Sequence, residues 1–428
     1  MTPPTWSATP APPAEPRFTA PAYRTTALDR GAVIGIDRTG TGDLAEARLL
    51  LPLVPGTGEG AHLHATEVEV AAEALRDALE SAAGSLAVVR AEARGDRVVV
   101  SARTFTDDFA DVCARIGDCL GSDALFDEGR VRQAAARVSA RLAKASGHAP
   151  LVARARFLAA VYGAHPFGRT ASAAEAHEVT GERLAGLLAS APAAARRAVA
   201  VGREPAAALL TAAERLLPAA PDAAPRPPVR PGPHPAAAPA TVLSPGVPQT
   251  LIRLGGHVPG RTHCDYPALQ LAVLMLGGYF GSRLTLILRE REGLAYAPRA
   301  VLDPLGETAA FTLEADVRPD GTARALDLIE AEMDRLASGS FTAEDLRNAQ
   351  NFTVGSMAMA CSSRSGLASV FAGTLASGLP AQWLGGYEAR VRALSVQDVA
   401  RAAETHLRAP GLVGVLVSPA VPAPAPSS

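Results

Sequence analysis

Apolar and polar positions change period along this chain, and the order of changes occurs twice. Leu86–Glu92 and Arg97–Arg103 alternate as strands do, and Asp107–Leu120 follows at helical spacing. A second helical run, LFDEGRVRQAAARVSARL, opens with Asp127 and Glu128 in its first turn, where the helix dipole favours acids. In the second half Ala309–Arg318 reads as a strand and Thr322–Leu336 as a helix. SFTAEDLRNAQNFTVGSM follows, with Thr342–Glu344 at its start. Phe126 and Phe341 are 215 residues apart, as are Arg103 and Arg318, and the short apolar strands Ala198–Val201 and Leu412–Val417 close the two halves at a similar offset. The pattern predicts an internal duplication of an α+β unit.

Low-complexity tracts set the expected boundaries. A Pro/Ala-rich head, residues 1–25, and a tail, 419–428, are expected to be disordered. The Pro-rich stretch from Pro218 to Ala240, within a linker assigned to 218–244, excludes helix and sheet and predicts an extended spacer that lets the halves hinge. The halves are then 26–217 and 245–418.

Composition narrows the function. The chain has 428 residues, 48% of them hydrophobic, and a formal net charge of −2, which argues against a nucleic-acid binder resting on a basic face. Cys113, Cys119, Cys264 and Cys361 form no CxxC, as expected of buried thiols in a reducing compartment. The first 25 residues hold no apolar run of signal-peptide length, and the longest apolar stretch, Tyr266–Gly281, is too short to span a bilayer. A cytoplasmic protein with no membrane partner is the expectation.

The richest segment is LGGYFGSRLTLILREREGLAYAP, Leu276–Pro298. Gly277, Gly278 and Gly281 predict a permissive turn, Arg283–Glu292 a helix ended by Gly293, and Leu294–Ala297 the start of a strand. Arg289 and Tyr296 are placed to reach one cleft across that corner, although spacing alone better suits a solvated charge and a half-buried aromatic. As a string the segment resembles the second half of the pitrilysin/insulinase-like zinc metallopeptidases, especially their two-chain, mitochondrial-processing-peptidase-like branch. That pattern has a Gly-Gly turn, Ser-Arg-Leu, then Arg-Glu-x-x-Gly-Leu-Ala-Tyr. Gly277, Gly278, Ser282, Arg283, Leu284, Arg289, Glu290, Gly293, Leu294, Ala295 and Tyr296 fit it, and the duplicated halves and AVYGAHPFGR (Ala160–Arg169) fit as well.

The resemblance implies a clamshell: two homologous halves, each a pair of related α+β domains, forming half of a chamber that encloses peptide. It implies that Arg289 and Tyr296 contact substrate beside the zinc, with Gly277, Gly278, Gly281 and Ser282 on the substrate-binding loop. A guanidinium and a phenol suit a scissile carbonyl and its oxyanion.

The first half departs from the family. Catalytic members carry His-x-x-Glu-His and a distal Glu, which together hold Zn²⁺ with an open water position. That motif does not occur in the chain. In GAHLHATEVEVAAEAL, Gly60–Leu75, aligning His62 with the first family histidine puts Ala65 at the general base and Thr66 at the second ligand. The helix expected to supply the distal acid, Arg130–Lys144, has no Glu or Asp. No metal is therefore expected in this chain, and an improvised site at His62, His64 and Glu67 is disfavoured. His165 is expected to hold its turn, and Asp265 or Thr262 to cap a helix after His263 and Cys264.

The resulting expectation is a zinc-free subunit of a heterodimeric endopeptidase. It would be inactive alone and would lend Arg289 and Tyr296 to a homologous partner that carries His-x-x-Glu-His and the zinc. The substrate would be a peptide, leader peptides among the candidates. The alternatives are a non-proteolytic structural core subunit or peptide-binding protein of the same fold. A dinucleotide site at GTGEGA, Gly56–Ala61, ranks last because Pro52 and Pro55 interrupt the preceding strand.

Overall fold

The computed structural model describes residues 15–38, 42–55, 62–163, 165–218, 240–305, 308–408 and 412–420. The GTGEGA motif and most of the Pro-rich stretch lie outside the described residues. In chain order the first half holds β1 (Arg24–Leu28), β2 (Gly31–Asp37), β3 (Leu44–Pro52), α1 (Ala65–Ala83), β4 (Ala87–Arg94) and β5 (Arg97–Phe105). It continues with α2 (Phe109–Leu120), α3 (Glu128–Ala145), α4 (Ala149–Tyr162), α5 (Gly181–Ala189), β6 (Arg197–Gly202) and α6 (Ala206–Glu214). The second half holds β7 (Ala240–Leu243), β8 (Thr250–Pro259), α7 (Tyr266–Val273), β9 (Arg299–Leu305) and β10 (Thr308–Val317). After these come α8 (Thr322–Ala337), α9 (Ala343–Ala360), α10 (Arg364–Ala376), α11 (Tyr387–Arg392), α12 (Val396–His406) and β11 (Val413–Ser418).

The duplication is written into the sheet topology. One sheet runs β1-β2-β6-β3-β5-β4 and the other β7-β11-β8-β10-β9. Reading β2 as β7, β6 as β11, β3 as β8, β5 as β10 and β4 as β9 makes the orders identical, with β1 an added edge. The parallel pair recurs at the matching place, β2 with β6 and β7 with β11. Helix starts Glu128 and Ala343, Ala149 and Arg364, and Gly181 and Val396 are each 215 residues apart. The pair of related α+β units is thus formed once along the chain, one sheet per half.

Alternation along β5 shows how the first sheet takes its sides. Val98, Val100 and Ala102 are buried on the core with α1 and α2, while Arg97, Ser101 and Arg103 turn to the opposite face. That opposite face is covered from the other half. Helix α10 packs on β3 and β6, and in return α4 packs on β8 and β11. Phe371 of α10 joins a core containing Ile34, Leu50 and Val199, and Phe157 of α4 joins one containing Leu251, Ala310 and Val415. Each half therefore completes the other's core.

Three expectations need correction. Part of the head is ordered: Phe18 is buried against Tyr387, its amide donates to Glu388 Oε2 at 2.7 Å, and the Tyr23 ring meets Phe371. Two aromatics give this Pro/Ala-rich stretch enough apolar surface to dock. The second sheet takes up the chain at Ala240, inside the stretch assigned to the linker. Leu294–Ala297 starts no strand. Ala295 makes a single bridge to Val317 and β9 begins at Arg299.

Candidate functional site

Two places correspond to the two parts of the expected site. The first is the Gly277–Tyr296 corner. Helix α7 runs on through a wider turn at Leu274–Gly278, where Gly277 leaves helical geometry at φ −157°. Glycine is required there because a Cβ would sit 2.5 Å from the Ala300 amide nitrogen of β9. The chain re-enters helix at Arg283. Ser282 beneath it is 1% exposed, its hydroxyl 3.0 Å from that of Thr285. Gly278 and Gly281 are exposed, whereas Gly277 and Ser282 face inward. Arg283 is a strut to α8, its Nε donating to Glu332 at 2.8 Å.

The following turn, Thr285–Arg291, is π-helical, with the Glu292 amide donating to the Ile287 carbonyl. Leu288 is fully buried, so its neighbour Arg289 points outward. Gly293 turns the chain through φ +62°, and the buried Ala295 pairs with Val317, which leaves Tyr296 facing out. The outcome is a stack. The Arg289 guanidinium carbon lies 5.0 Å from the Tyr296 ring centre and 5.1 Å from that of Phe280. Both rings are open to solvent, Phe280 at 72% and Tyr296 at 79% exposure. The structure thus brings Arg289 and Tyr296 together and adds Phe280, which the sequence reading missed. Its signal was an aromatic inside a glycine turn, where burial is hard to achieve. The two rings flank the guanidinium, whose Nε faces Glu290 Oε1 at 3.3 Å while its terminal N–H groups are available to donate. Behind the loop, burial and then the Asp345 carboxylate raise the Tyr279 phenol above its ordinary value.

The second place is the start of α1. His64 is the N-cap residue, its backbone N–H donating to Glu67 Oε2 at 2.8 Å. Glu67 Oε1 accepts from Arg183 Nε at 2.7 Å, so this carboxylate is fully engaged. Thr66 is buried, donating to Glu175 at 2.8 Å and accepting from the Ser172 amide at 3.0 Å. The facing helix α3 presents arginines. Arg137 Nε donates to Glu73 at 2.7 Å and its terminal nitrogen bonds Asp77, while Arg141 bonds Glu69 at 2.7 Å. These residues do not fit a zinc ion, because the carboxylates are tied to guanidiniums and α3 offers cations in place of an acid.

His165 does hold its turn, Nδ1 accepting from the Phe167 amide at 3.2 Å. Among the described residues the one group of three ligand-type side chains within 4.8 Å is His263, Cys264 and Asp265. Two of its ligand atoms are engaged elsewhere: His263 Nδ1 accepts from the Asp265 amide at 3.1 Å, and Asp265 Oδ2 lies 3.1 Å from His406 Nε2. Asp265 therefore anchors α12 to α7, and its side chain makes no capping hydrogen bond. Cys113 and Cys361 are buried, burial raising the Cys361 thiol to about 11, but Cys119 is half-buried and Cys264 exposed, so the expectation of buried thiols fails at Cys264. No helix among the described residues is long and apolar enough to cross a membrane.

Comparison with known proteins bears on this arrangement. Residues 197–352 match the family described as "Peptidase M16 inactive domain". A search of curated proteins gave no match. Among solved structures, a protease from Helicobacter pylori is 20% identical, with 94% of this chain and 100% of that one covered and a TM-score of 0.80. A peptidase M16 inactive domain from Pseudomonas fluorescens is also 20% identical, over 94% and 98% of the two chains, with a TM-score of 0.77. A chain of complex III2 from Candida albicans is 14% identical over 92% and 95%, with a TM-score of 0.73. The fold is the two-half α+β fold of M16 peptidases.

Proposed function

We propose that this chain is the zinc-free subunit of a two-chain metallopeptidase, arranged in the manner of the mitochondrial processing peptidases, and acts in the cytoplasm. It lends Arg289 and Tyr296 to the active site of a homologous partner that carries His-x-x-Glu-His. The observation that carries the reading is the exposed Phe280–Arg289–Tyr296 stack on a half whose companion has its zinc-site positions filled by capping contacts and ion pairs. Gly278 and Gly281 present the loop that lies along the peptide.

The chemistry asked of this chain is charge stabilisation. Attack on a scissile carbonyl places negative charge on its oxygen, and donors fixed in advance at that oxygen lower the barrier. Arg289 donates from the terminal nitrogens of its guanidinium, and Tyr296 donates its phenolic hydrogen. The partner's zinc, when bound, supplies the activated water. Leader peptides or other unfolded segments suit a chamber of this fold.

The test begins with a native pull-down from the host. A near-stoichiometric partner bearing His-x-x-Glu-His is expected. In the reconstituted pair, Arg289→Ala and Tyr296→Phe should each lower kcat roughly 100- to 1000-fold, for roughly 3–4 kcal/mol per oxyanion donor, with assembly intact. A chain that comes down alone, or unchanged turnover in both variants, would overturn the reading. A second reading, a non-proteolytic core subunit, draws on the likeness to the complex III2 chain. It gives the exposed stack no task.

A further inference from the structure

We infer that the cleft between the two halves binds an acidic peptide segment, with Arg90 and Arg261 as its recognition cations. The inference rests on the peptide-handling reading above and names the class of peptide. The cleft has a volume of about 760 Å³ and lies over the face of the first sheet that α10 leaves open, closed from the second half by α10, Arg261 of the β8–α7 connection and β9. Its size suits a ligand of several groups rather than a single ion.

Charge decides what enters. Seven arginines line the cleft against four acids, in a chain whose formal charge is −2. All four acids are already bonded. Glu46 accepts from both Arg48 and Arg103, Glu92 lies 2.6 Å from Arg94, Asp96 2.8 Å from Arg97, and Asp303 3.2 Å from Arg154. Arg90 and Arg261 make no ion pair among the described residues. Arg90 is exposed on β4, where its neighbours across the ladder and on the same face include Ser101, Glu92 and Val88, and Glu92 is taken by Arg94. Arg261 is half-buried in the β8–α7 connection. A partly desolvated cation without a counter-ion is unfavourable until an anion arrives, and a concave wall concentrates the field of several such charges.

A second feature argues for a peptide over a simple anion. Arg261 also lines an adjoining pocket of about 290 Å³ with Tyr266, Met357, Trp383 and Tyr387. A carboxylate on Arg261 therefore has room beside it for a bulky apolar side chain. A peptide with acidic residues flanking a phenylalanine matches both features.

The experiment uses the full chain alone, with no partner subunit, and fluorescence anisotropy. The probes are labelled ten-residue peptides of Glu and Gly with one Phe, the same peptide with Lys for Glu, and one with Gln. The Glu peptide is expected to bind, the Lys peptide not, and binding should weaken as salt rises. Arg90→Glu and Arg261→Gln should each weaken it roughly 10-fold or more, as for loss of a charge-assisted contact, with unfolding temperatures unchanged. Equal binding of the Glu and Gln peptides, indifference to both substitutions, or tighter binding of a single-stranded oligonucleotide would overturn the inference. Absence of a His-x-x-Glu-His partner in the pull-down would remove the peptidase reading and leave this measurement standing. A reconstituted pair that cleaves neutral and acidic peptides alike, while the chain alone shows no preference, would do the reverse.

Discussion

Replacing Phe157 by alanine should loosen the half of the chain to which it does not belong in sequence. Phe157 lies in α4, between elements of the first half, yet it is 1% exposed among Leu251, Ala310, Val413, Val415 and Val417 of the second sheet. Its ring reaches within 3.1 Å of where a Cβ would stand on Gly255, so the phenyl fills the space that glycine leaves over β8. Truncation of a buried phenylalanine costs about 3–5 kcal/mol, from lost transfer energy and an unfilled cavity. For a unit of about 200 residues, each kcal/mol moves Tm by roughly 2–4 °C, giving a fall of roughly 6–20 °C. Leu151 on the same helix is exposed, and Leu151→Ala should stay within about 0.5 kcal/mol of the parent. Hydrogen exchange locates the effect. Amides of β8 and β11 should lose protection together with α4, while β3 and β5 keep theirs. Loss confined to the first sheet, or a Tm shift no larger than that of Leu151→Ala, would refute the exchange of helices between halves.

Two further outcomes test the site and its supports. Building the zinc motif back with Ala65→Glu and Thr66→His should give no stoichiometric zinc on elemental analysis after gel filtration. It should also cost about 1–3 kcal/mol, because Thr66 is buried between Glu175 and Ser172 with no room for an imidazole. Ser395→Ala removes the cap of α12, whose hydroxyl is the main cause holding the Asp398 carboxyl below its ordinary range. A depressed carboxyl contributes stability that is present above the unfolded-state range and lost as pH falls through the folded value. The cost of Ser395→Ala should therefore be about 1 kcal/mol at pH 7 and fade in strong acid, which thermal melts across pH would show.

The duplication was legible because apolar period survives as sequence, so each strand and helix of one half could be laid on its counterpart. The helix exchange was not. A buried stripe on α4 or α10 states that a face must be covered and is silent on which sheet covers it. Phe18 and Tyr23 were hidden by the Pro/Ala composition around them, although two aromatics suffice to dock a short strand-like tether on Tyr387 and Phe371. Leu294–Ala297 has the residues of a strand but only one neighbour to pair with, since Gly293 has just reversed the chain. At the site, Arg289 and Tyr296 could be paired from their spacing. Phe280 joins them across the π-helical turn Thr285–Arg291, a contact that sequence spacing does not announce.

The two halves keep order at their sites by different means, and that difference is what separates fold from function here. Along α1, Arg76 together with Arg137 and Arg141 of α3 neutralises Glu69, Glu73 and Asp77. The seam therefore needs no cation from outside, and Glu73 and Asp77 keep Arg76 as a partner even without Arg137, whereas Glu69 depends on Arg141. The stack around Arg289 stabilises little by comparison. Cation–π contacts at exposed sites are worth about 0.5–1 kcal/mol each, and here they leave two aromatic rings in water. Folding does not require that arrangement, since Leu288 and Ala295, the inward neighbours, already secure the corner in the core. An exposed apolar and cationic surface held in one geometry is instead what a site completed by another molecule needs. It follows that Arg289→Ala should leave stability within about 1 kcal/mol of the parent, so that any loss measured in the complex is read at the site itself.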